Sequence, residues 1–232
     1  LQFIYAIRAF EERSSTWRQV ILAALISLLA TYIKPVFAIC ILPAIGILMA
    51  YRLLNKQEIN WKMLGLGLIL PTVVVLTWQY MLTYQSTGSG GIIFAPFSVM
   101  RLYSKWLTTK FLLSIIFPFF VTVFYFQKAR KDMRLALGWL IFLISVFFTY
   151  FLSESGTSFN SGNFTWTAEI CLLVLFCVCT LFFIEQVKVN RIKSFVLKWA
   201  WAAHVVAGII YYYYCFVVRS YFLIERDNVG PL

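Results

Sequence analysis

The sequence predicts an all-α, polytopic transmembrane helical bundle, and three observations lead to that prediction. Hydrophobic residues make up 62% of the 232 residues and charged residues only 12%. The mean hydropathy is +0.83, whereas a soluble domain carries about a quarter charged residues and about half apolar ones. The apolar residues form long runs, and the Lys and Arg residues are concentrated between these runs. We therefore expect an integral membrane protein with about seven spanning helices.

Seven apolar runs are long enough to cross a bilayer, which takes about 20 residues. They are residues 17–33, 35–54, 61–84, 107–126, 135–152, 166–184 and 199–218. The first two runs form a hairpin, since about 37 residues rising 1.5 Å each would measure ~55 Å, nearly twice the hydrocarbon thickness. Ser14, Ser15 and Thr16 are candidate N-caps of the first helix. Pro71 is expected to kink the third helix, with a neighbouring helix satisfying the freed carbonyl.

The chain is expected to form a single transmembrane domain over residues 1–232, because we find no repeat, linker or soluble segment. It begins with Leu1 rather than Met. We therefore expect a fragment of a longer protein that lacks its N-terminal, catalytic portion.

The basic residues predict the orientation of the bundle. The short connections 127–134 and 186–198 each carry four Lys and Arg residues, whereas 153–166 carries none. Basic short loops stay cytoplasmic, so the N-terminus is predicted inside and the C-terminus outside. The net charge of +11 is explained by this pattern, and nucleic acid is not expected as a partner. The segment 92–106 is the exception, since it is basic but outside, and it is expected to lie in the membrane interface.

The sequence contains no motif for a cofactor. The five cysteines lie in apolar runs without a CxxC pair, and we interpret them as small buried hydrophobes. One histidine, His204, is too few for a conventional metal site and is expected to be buried and hydrogen-bonded. A divalent metal would need ligands from a missing N-terminal portion.

Two groups of residues on the predicted outer side are candidate binding residues. Lys34, Arg101 and Lys105 are candidates for a lipid phosphate, although a hairpin turn with a snorkelling lysine and an interfacial helix explain them equally well. The loop 153–166 is dense in hydroxyl, amide and carboxylate groups, which suit a polar ligand such as a sugar, although it also fits a solvated connection. Its candidate residues, together with the first turn of the next helix, are Glu154, Asn160, Asn163, Trp166 and Glu169. Glu169 is an ionisable group near a span end, which faces either water or the bundle interior.

Two stretches resemble membrane-embedded glycosyltransferases of the GT-C class. The run "LLATYIKPVFAICILPAIGIL" resembles a hairpin in that class, in which an apolar helix ends in Lys-Pro and a second helix follows at once. "SESGTSFNSGNFTWTAEICLLVLF" is similar to a pattern in bacterial GT-C-like proteins of cell-surface polysaccharide synthesis, through an acidic residue, a glycine and a Gly-Asn-aromatic-x-Trp stretch. "AAHVVAGIIYYY" fits the last helix of that group loosely.

The resemblance implies transfer of a sugar from a polyprenyl-phosphate donor on the outer face of the bacterial plasma membrane, in the synthesis of cell-envelope polysaccharide. The class carries its catalytic Asp or Glu in a first large outer loop. This sequence departs from the class there, because its first outer connection is the tight turn at Lys34. No catalytic residue is therefore assigned, and the catalytic acid is expected outside this chain.

Two other classes of function remain open. A transporter or flippase component for a lipid-linked substrate predicts an inverted repeat and charges near the bilayer midplane, whereas the charges here are concentrated at span ends. A non-enzymatic membrane scaffold predicts stripes of small residues for helix packing. The stretch "GLGL" at residues 65–68 hints at such packing but is short.

Overall fold

The fold is a bundle of helices with one short β-ribbon. The computed structural model describes residues 1–85, 91–103, 107–155, 159, 164–186 and 191–213. The helices are α1 (Gln2–Glu11), α2 (Trp17–Ile33), α3 (Pro35–Leu54), α4 (Leu70–Tyr80), α5 (Ser98–Tyr103), α6 (Leu107–Phe124), α7 (Phe126–Ala129), α8 (Met133–Phe151), α9 (Thr165–Gln186) and α10 (Arg191–Tyr213). Two π-helical segments, π1 (Lys62–Ile69) and π2 (Met81–Gln85), flank α4. The strands are β1 (Ile92–Phe94) and β2 (Leu152–Glu154).

The described residues contain six helices that are long and apolar enough to cross a membrane. These are Pro35–Leu54, Lys62–Thr83, Leu107–Phe124, Met133–Phe151, Thr165–Gln186 and Ser194–Tyr213. The predicted seventh span, α2, is an apolar helix of 17 residues, about 25 Å long at 1.5 Å per residue and at the lower end of the spanning range. The prediction of an all-α polytopic bundle is confirmed.

Most of the surface of the spanning helices is apolar and uncovered by protein. Between 11% and 39% of each span is buried inside the bundle, although the mean hydropathy of the spans lies between 1.3 and 2.5. On α2, one face exposes Ile21, Leu25 and Leu29, which are four residues apart. A soluble protein rarely leaves large contiguous apolar patches exposed, so lipid is the medium that these faces require.

The α2–α3 hairpin forms as the sequence predicts. Thr16 is the N-cap of α2, and its hydroxyl accepts a hydrogen bond from the Gln19 backbone N–H while the Gln19 side chain accepts one from the Thr16 N–H. Such a capping box satisfies two backbone donors that the first turn leaves free. Lys34 has extended backbone angles (φ −147°, ψ 90°) because a residue before proline avoids the helical region. Pro35 then starts α3 at the first-turn position.

The third span changes its winding around Pro71. The helix is π-helical through π1 and becomes α-helical at Leu70, one residue before the proline. Pro71 has no N–H to donate, so the turn before it lacks one backbone hydrogen bond. The Ser27 hydroxyl of α2 donates to the Gly67 carbonyl in that turn, at 3.2 Å. A neighbouring helix therefore supplies a donor to the turn before Pro71, and the expected kink stays a prediction.

The helices α8 and α9 form the centre of the bundle. One buried cluster joins them to α1, α2, α3 and π1, and a second joins them to α6 and α10. A Cβ at Gly138 of α8 would lie 3.5 Å from Leu175 Cδ1 of α9, so these helices are in van der Waals contact. Of the cysteines, Cys40, Cys171 and Cys179 are buried as predicted, whereas Cys177 is exposed on α9. Cys215 lies outside the described residues.

Three elements differ from the prediction or were not predicted. The amphipathic helix α1 buries Tyr5, Ala6 and Phe10 among others, but it is too short to register as a span. The last helix begins at Arg191, and its spanning part at Ser194 rather than near residue 199. Its first two turns bury Ser194 and Leu197 and expose Lys198. The ribbon β1–β2 pairs two connections antiparallel, with Ile93 opposite Ser153.

The contacts at the two ends of the bundle reproduce the predicted grouping of the connections. One end, here the Lys34 end, holds the α2–α3 turn, the ribbon and the start of α9. The opposite end, here the Arg134 end, holds the connections α1–α2, α3–π1 and α6–α8 and the end of α9. Which end faces the cytoplasm stays a prediction from the basic loops.

Candidate binding site at the Lys34 end

Lys34 and Trp166 are brought together at one membrane surface. The Lys34 ammonium lies 5.1 Å from the centroid of the Trp166 indole. A cation within about 6 Å of a ring face is attracted by the quadrupole of the ring. The two residues are 132 positions apart and belong to the α2–α3 turn and the first turn of α9. Both side chains are exposed, so the pair lies at the surface and is accessible from the lipid–water boundary.

The start of α9 is held in place by hydroxyl groups. The Phe164 carbonyl accepts hydrogen bonds from Thr149 Oγ1 of α8, at 2.7 Å, and from Thr167 Oγ1 of α9. Both threonines are buried. These contacts tie the first turn of α9, which carries Trp166, to the last turns of α8. The indole is therefore attached to the centre of the bundle rather than to an independent loop.

A second polar and aromatic contact lies two residues before Lys34. Tyr32 stacks on Trp78 of α4 with ring centroids 5.9 Å apart, and its carbonyl accepts a hydrogen bond from Gln79 Nε2 at 3.0 Å. The sequence reasoning did not select these residues, although an aromatic residue near a span end is the usual signal of the membrane interface. They join the α2–α3 turn to the third span.

Arg101 and Glu154 lie at the same end of the bundle, Glu154 in the ribbon and Arg101 on the helix that follows β1. Arg101 lies on α5, which packs against α8, and its side chain is exposed. Glu154 is the last residue of β2, is 9% exposed and is opposite Ile92 in the ladder. Within the described residues, no hydrogen bond, ion pair or ring contact joins Arg101 to Lys34 or to Trp166. The structure places Arg101 at the same end without bringing it to the Lys34–Trp166 pair.

Glu169 lies one turn further along α9 than Trp166. A spacing of three residues places the two side chains on neighbouring positions of one helix face. Glu169 is exposed, and it adds a carboxylate to the surface of α9 that carries Trp166. Whether water or the bundle interior surrounds this carboxylate stays a prediction.

Three of the predicted site residues, Lys105, Asn160 and Asn163, lie outside the described residues, so their contacts with Lys34 stay a prediction. His204 lies in α10, where it is partly buried and stacks on Phe176 of α9 with ring centroids 5.0 Å apart. The expectation of a buried, hydrogen-bonded imidazole is therefore met only in part, because His204 is partly buried and its contact among the described residues is the stack on Phe176.

The charges at the two ends are arranged differently. In the described part of the chain, the three ion pairs lie at the Arg134 end: Arg13–Glu58, Arg134–Asp132 and Arg134–Glu185. At the Lys34 end the exposed cations of the described residues are Lys34, Arg101 and Lys110, the last in the first turn of α6, and none of them forms an ion pair with a described carboxylate. Lys110 was not selected from the sequence, although, like Lys34, it is a lysine at the end of a long apolar run.

The described residues contain no group of three His, Cys, Asp or Glu side chains arranged to hold a metal ion. The described residues of the Lys34 end provide three exposed cations, the Trp166 indole and the carboxylates of Glu154 and Glu169. Such a set can contact an anionic lipid headgroup.

No protein-family model, no curated protein and no solved structure matches the chain. The fold alone therefore defines the class to which the chain belongs. It is a polytopic, all-α integral membrane protein.

Proposed function

We propose that the chain is part of a membrane-embedded glycosyltransferase, and that its Lys34 end binds the phosphate of a polyprenyl-phosphate-linked sugar. The observation that carries the proposal is the Lys34 ammonium over the Trp166 indole, at a span end and without a carboxylate partner among the described residues. The GT-C-like Lys-Pro hairpin and the Gly-Asn-Phe-Thr-Trp stretch, which the sequence separates by more than a hundred residues, supply the two members of that pair.

The chemistry of the donor fits this arrangement. When a sugar leaves a polyprenyl phosphate, negative charge grows on the lipid phosphate that departs. A preorganised cation aimed at that phosphate stabilises the charge as it develops. In this proposal the ammonium lies at the level of the lipid headgroups, because Lys34 follows the apolar helix α2 and precedes the span α3. The polyprenyl chain would remain in the bilayer beside the apolar faces of the spans.

The remaining site residues have auxiliary parts in this proposal. Arg101 and Lys105 would add positive charge near the headgroups. Glu154, Asn160, Asn163 and the exposed Glu169 would contact sugar or acceptor hydroxyls, with Trp166 supplying a flat apolar wall. The Lys34 end would face the outside of a bacterial plasma membrane. No residue of the chain is assigned as the catalytic base.

A binding experiment tests this proposal. The full chain in lipid nanodiscs is titrated with a short-chain polyprenyl phosphate, and the bound lipid is measured by native mass spectrometry. Lys34→Ala is expected to weaken binding about tenfold or more, because a hydrogen bond to a charged group contributes about 1.5–3 kcal/mol and 1.4 kcal/mol corresponds to a factor of ten. Lys34→Arg retains the charge and is expected to bind more tightly than Lys34→Ala.

Lys131→Ala is the matched control, since Lys131 is an exposed lysine at the Arg134 end. It should leave binding unchanged. The neutral polyprenol should bind weakly to every variant. Equal affinity of wild type and Lys34→Ala for the phosphate, or equal affinity of the wild type for the phosphate and the alcohol, would refute the role of Lys34.

A further inference from the structure

The segment 91–103, which contains β1 and α5, lies outside the spans at the Lys34 end. We propose that this interface segment is a membrane anchor, seated in the headgroup layer of the leaflet at the Lys34 end with its apolar side chains in lipid. The proposal does not depend on the proposed function. It names a lipid surface as the partner of a part of the chain that crosses no membrane.

The first observation is that β1 is exposed on both of its faces. Successive side chains of a strand point to opposite faces, yet Ile92, Ile93 and Phe94 are all exposed, with Phe94 66% accessible. A ribbon with one face in water normally presents polar residues on that face. In the segment that follows, Phe97 and Leu102 are exposed as well. Both faces of β1 therefore expose apolar side chains, while one edge of the strand is paired with β2.

The second observation is that this surface continues into a lipid-facing helix face. Phe94 stacks on Phe151 with ring centroids 5.9 Å apart. Phe151 in turn stacks on Phe147 at 5.2 Å. Phe147 is one turn further into the span α8 and is exposed. Three rings therefore form one continuous apolar surface from the spanning helix to the interface segment, and lipid that covers Phe147 extends to Phe94.

The third observation is that backbone hydrogen bonds attach the segment to the end of α8. The Ala95 N–H donates to the Phe151 carbonyl at 2.8 Å, and the Phe97 N–H donates to the Tyr150 carbonyl at 2.6 Å. These carbonyls belong to the last turn of α8, where a helix has no N–H of its own to offer them. Phe97 has a φ of 58°, which is unusual for a residue with a bulky side chain. The segment is thus attached at the point where the α8 span ends.

The fourth observation is the charge that accompanies the apolar residues. Arg101 and Leu102 are adjacent on α5, and both are exposed. In an interfacial helix the apolar side chain enters the acyl boundary while the guanidinium reaches the phosphates. A basic residue on the predicted outer side contradicts the simple loop rule. It is explained if Arg101 binds lipid phosphate at the level of the membrane surface.

Nitroxide accessibility tests the proposal. The five native cysteines are replaced by alanine, and a spin label is attached at Phe94→Cys in the full chain, in nanodiscs of phosphatidylcholine with a fraction of phosphatidylglycerol. Collisions with oxygen, which partitions into lipid, are compared with collisions with a water-soluble nickel chelate. Leu29→Cys, on the exposed face of α2, is the lipid reference, and Lys131→Cys is the water reference.

The proposal predicts that oxygen collisions exceed nickel collisions at position 94, as at position 29, and that the opposite holds at position 131. An excess of nickel collisions at position 94 would show a water-exposed loop and overturn the proposal. Low accessibility to both reagents would overturn it too, because a second copy or another part of the chain would then cover the patch. If Phe94→Cys does not fold, Ile92→Cys reports on the same strand with the same expected result.

Discussion

At the scale of single residues, the Ser27 hydroxyl donates to the Gly67 carbonyl in the turn before Pro71. This hydrogen bond is buried and joins α2 to the third span, Lys62–Thr83. An unsatisfied buried polar group costs about 1–3 kcal/mol, although interhelical hydrogen bonds in membranes average about 0.6 kcal/mol. A double-mutant cycle on Ser27 and Pro71 therefore tests whether the side-chain hydroxyl replaces a backbone donor.

Ser27→Ala is expected to lower the free energy of unfolding by about 1 kcal/mol, because it removes a buried hydrogen bond between α2 and the third span. In a Pro71→Ala background the same substitution should cost less, since an alanine N–H at position 71 restores a backbone donor to the turn that contains Gly67. Thermal unfolding in detergent micelles measures the four proteins of the cycle. Equal costs in both backgrounds would show that the Ser27 hydroxyl has no compensating role.

Gly67 also sets how closely α2 approaches the third span. A Cβ at this position would lie 3.1 Å from Met63 Sδ and 3.3 Å from Ala23 Cβ. Gly65, two residues earlier, has open space around it. Gly67→Ala is expected to destabilise the bundle by about 1–3 kcal/mol through overpacking. Gly65→Ala is the matched control and should be neutral or slightly stabilising, because alanine favours a helix more than glycine does. Equal melting temperatures for the two variants would contradict the close contact.

At the scale of elements, an ion-pair network joins the beginning of α8 to the end of α9. Arg134 forms a pair with Asp132 at 2.6 Å and with Glu185 at 2.7 Å. Asp132 is also the N-cap of α8 and accepts from the backbone N–H groups of Arg134 and Leu135. Partial burial opposes ionisation of Asp132, but the hydrogen bonds and charge of Arg134 and the two backbone donors outweigh it, so the pKa of this carboxyl lies below its ordinary value of 3.8.

This lowered pKa predicts a direction for the dependence of stability on pH. A carboxyl whose pKa is lower in the folded than in the unfolded state stabilises the fold above the unfolded value. That contribution is lost as the pH falls below 3.8 and through the lower folded-state pKa. In a Glu185→Gln background, which leaves Asp132 as the acidic partner of Arg134, the free energy of unfolding should therefore fall by about 1 kcal/mol or less between pH 6 and pH 3, given the partial exposure of the pair.

Asp132→Asn in the same background is the control, because asparagine retains an N-cap acceptor without the charge. Its unfolding should lack this part of the acid dependence. Thermal unfolding scans of both proteins across that pH range give the comparison. An identical acid dependence with and without the Asp132 carboxyl would exclude it as the titrating group.

The elements themselves were predictable to different degrees. The structure confirms three local patterns. These are six of the seven predicted spans, an N-cap at Thr16, which was one of three candidates, and the turn at Lys34-Pro35. The β1–β2 pairing joins Ile92 to Glu154, and no local pattern signals a partner some sixty residues away. The amphipathic helix α1 was missed for another reason. It presents one apolar face rather than an apolar run, and hydropathy over a span-length window averages such a face away.

At the scale of the whole molecule, the candidate site depends on which helices are neighbours. Lys34 and Trp166 were selected separately from the sequence, and their contact requires that α3 and α9 pack against each other. The order of helices in a bundle follows from the total fit of their faces, which a hydropathy pattern does not encode. The charges of the two ends were predictable, because the basic loops that predict orientation also carry the ion pairs at the Arg134 end.

The central claim is that the bundle presents Lys34 to the phosphate of a lipid-linked sugar. Its most direct test is sugar transfer from a radiolabelled polyprenyl-phosphate donor, in membrane vesicles from cells that express the gene encoding this chain. Wild type and the Lys131→Ala control are expected to show equal transfer, and Lys34→Ala should show transfer reduced about tenfold or more, as the loss of a charge-assisted contact to phosphate requires. Transfer by Lys34→Ala at the wild-type rate, or vesicles in which transfer does not depend on the protein, would contradict the account.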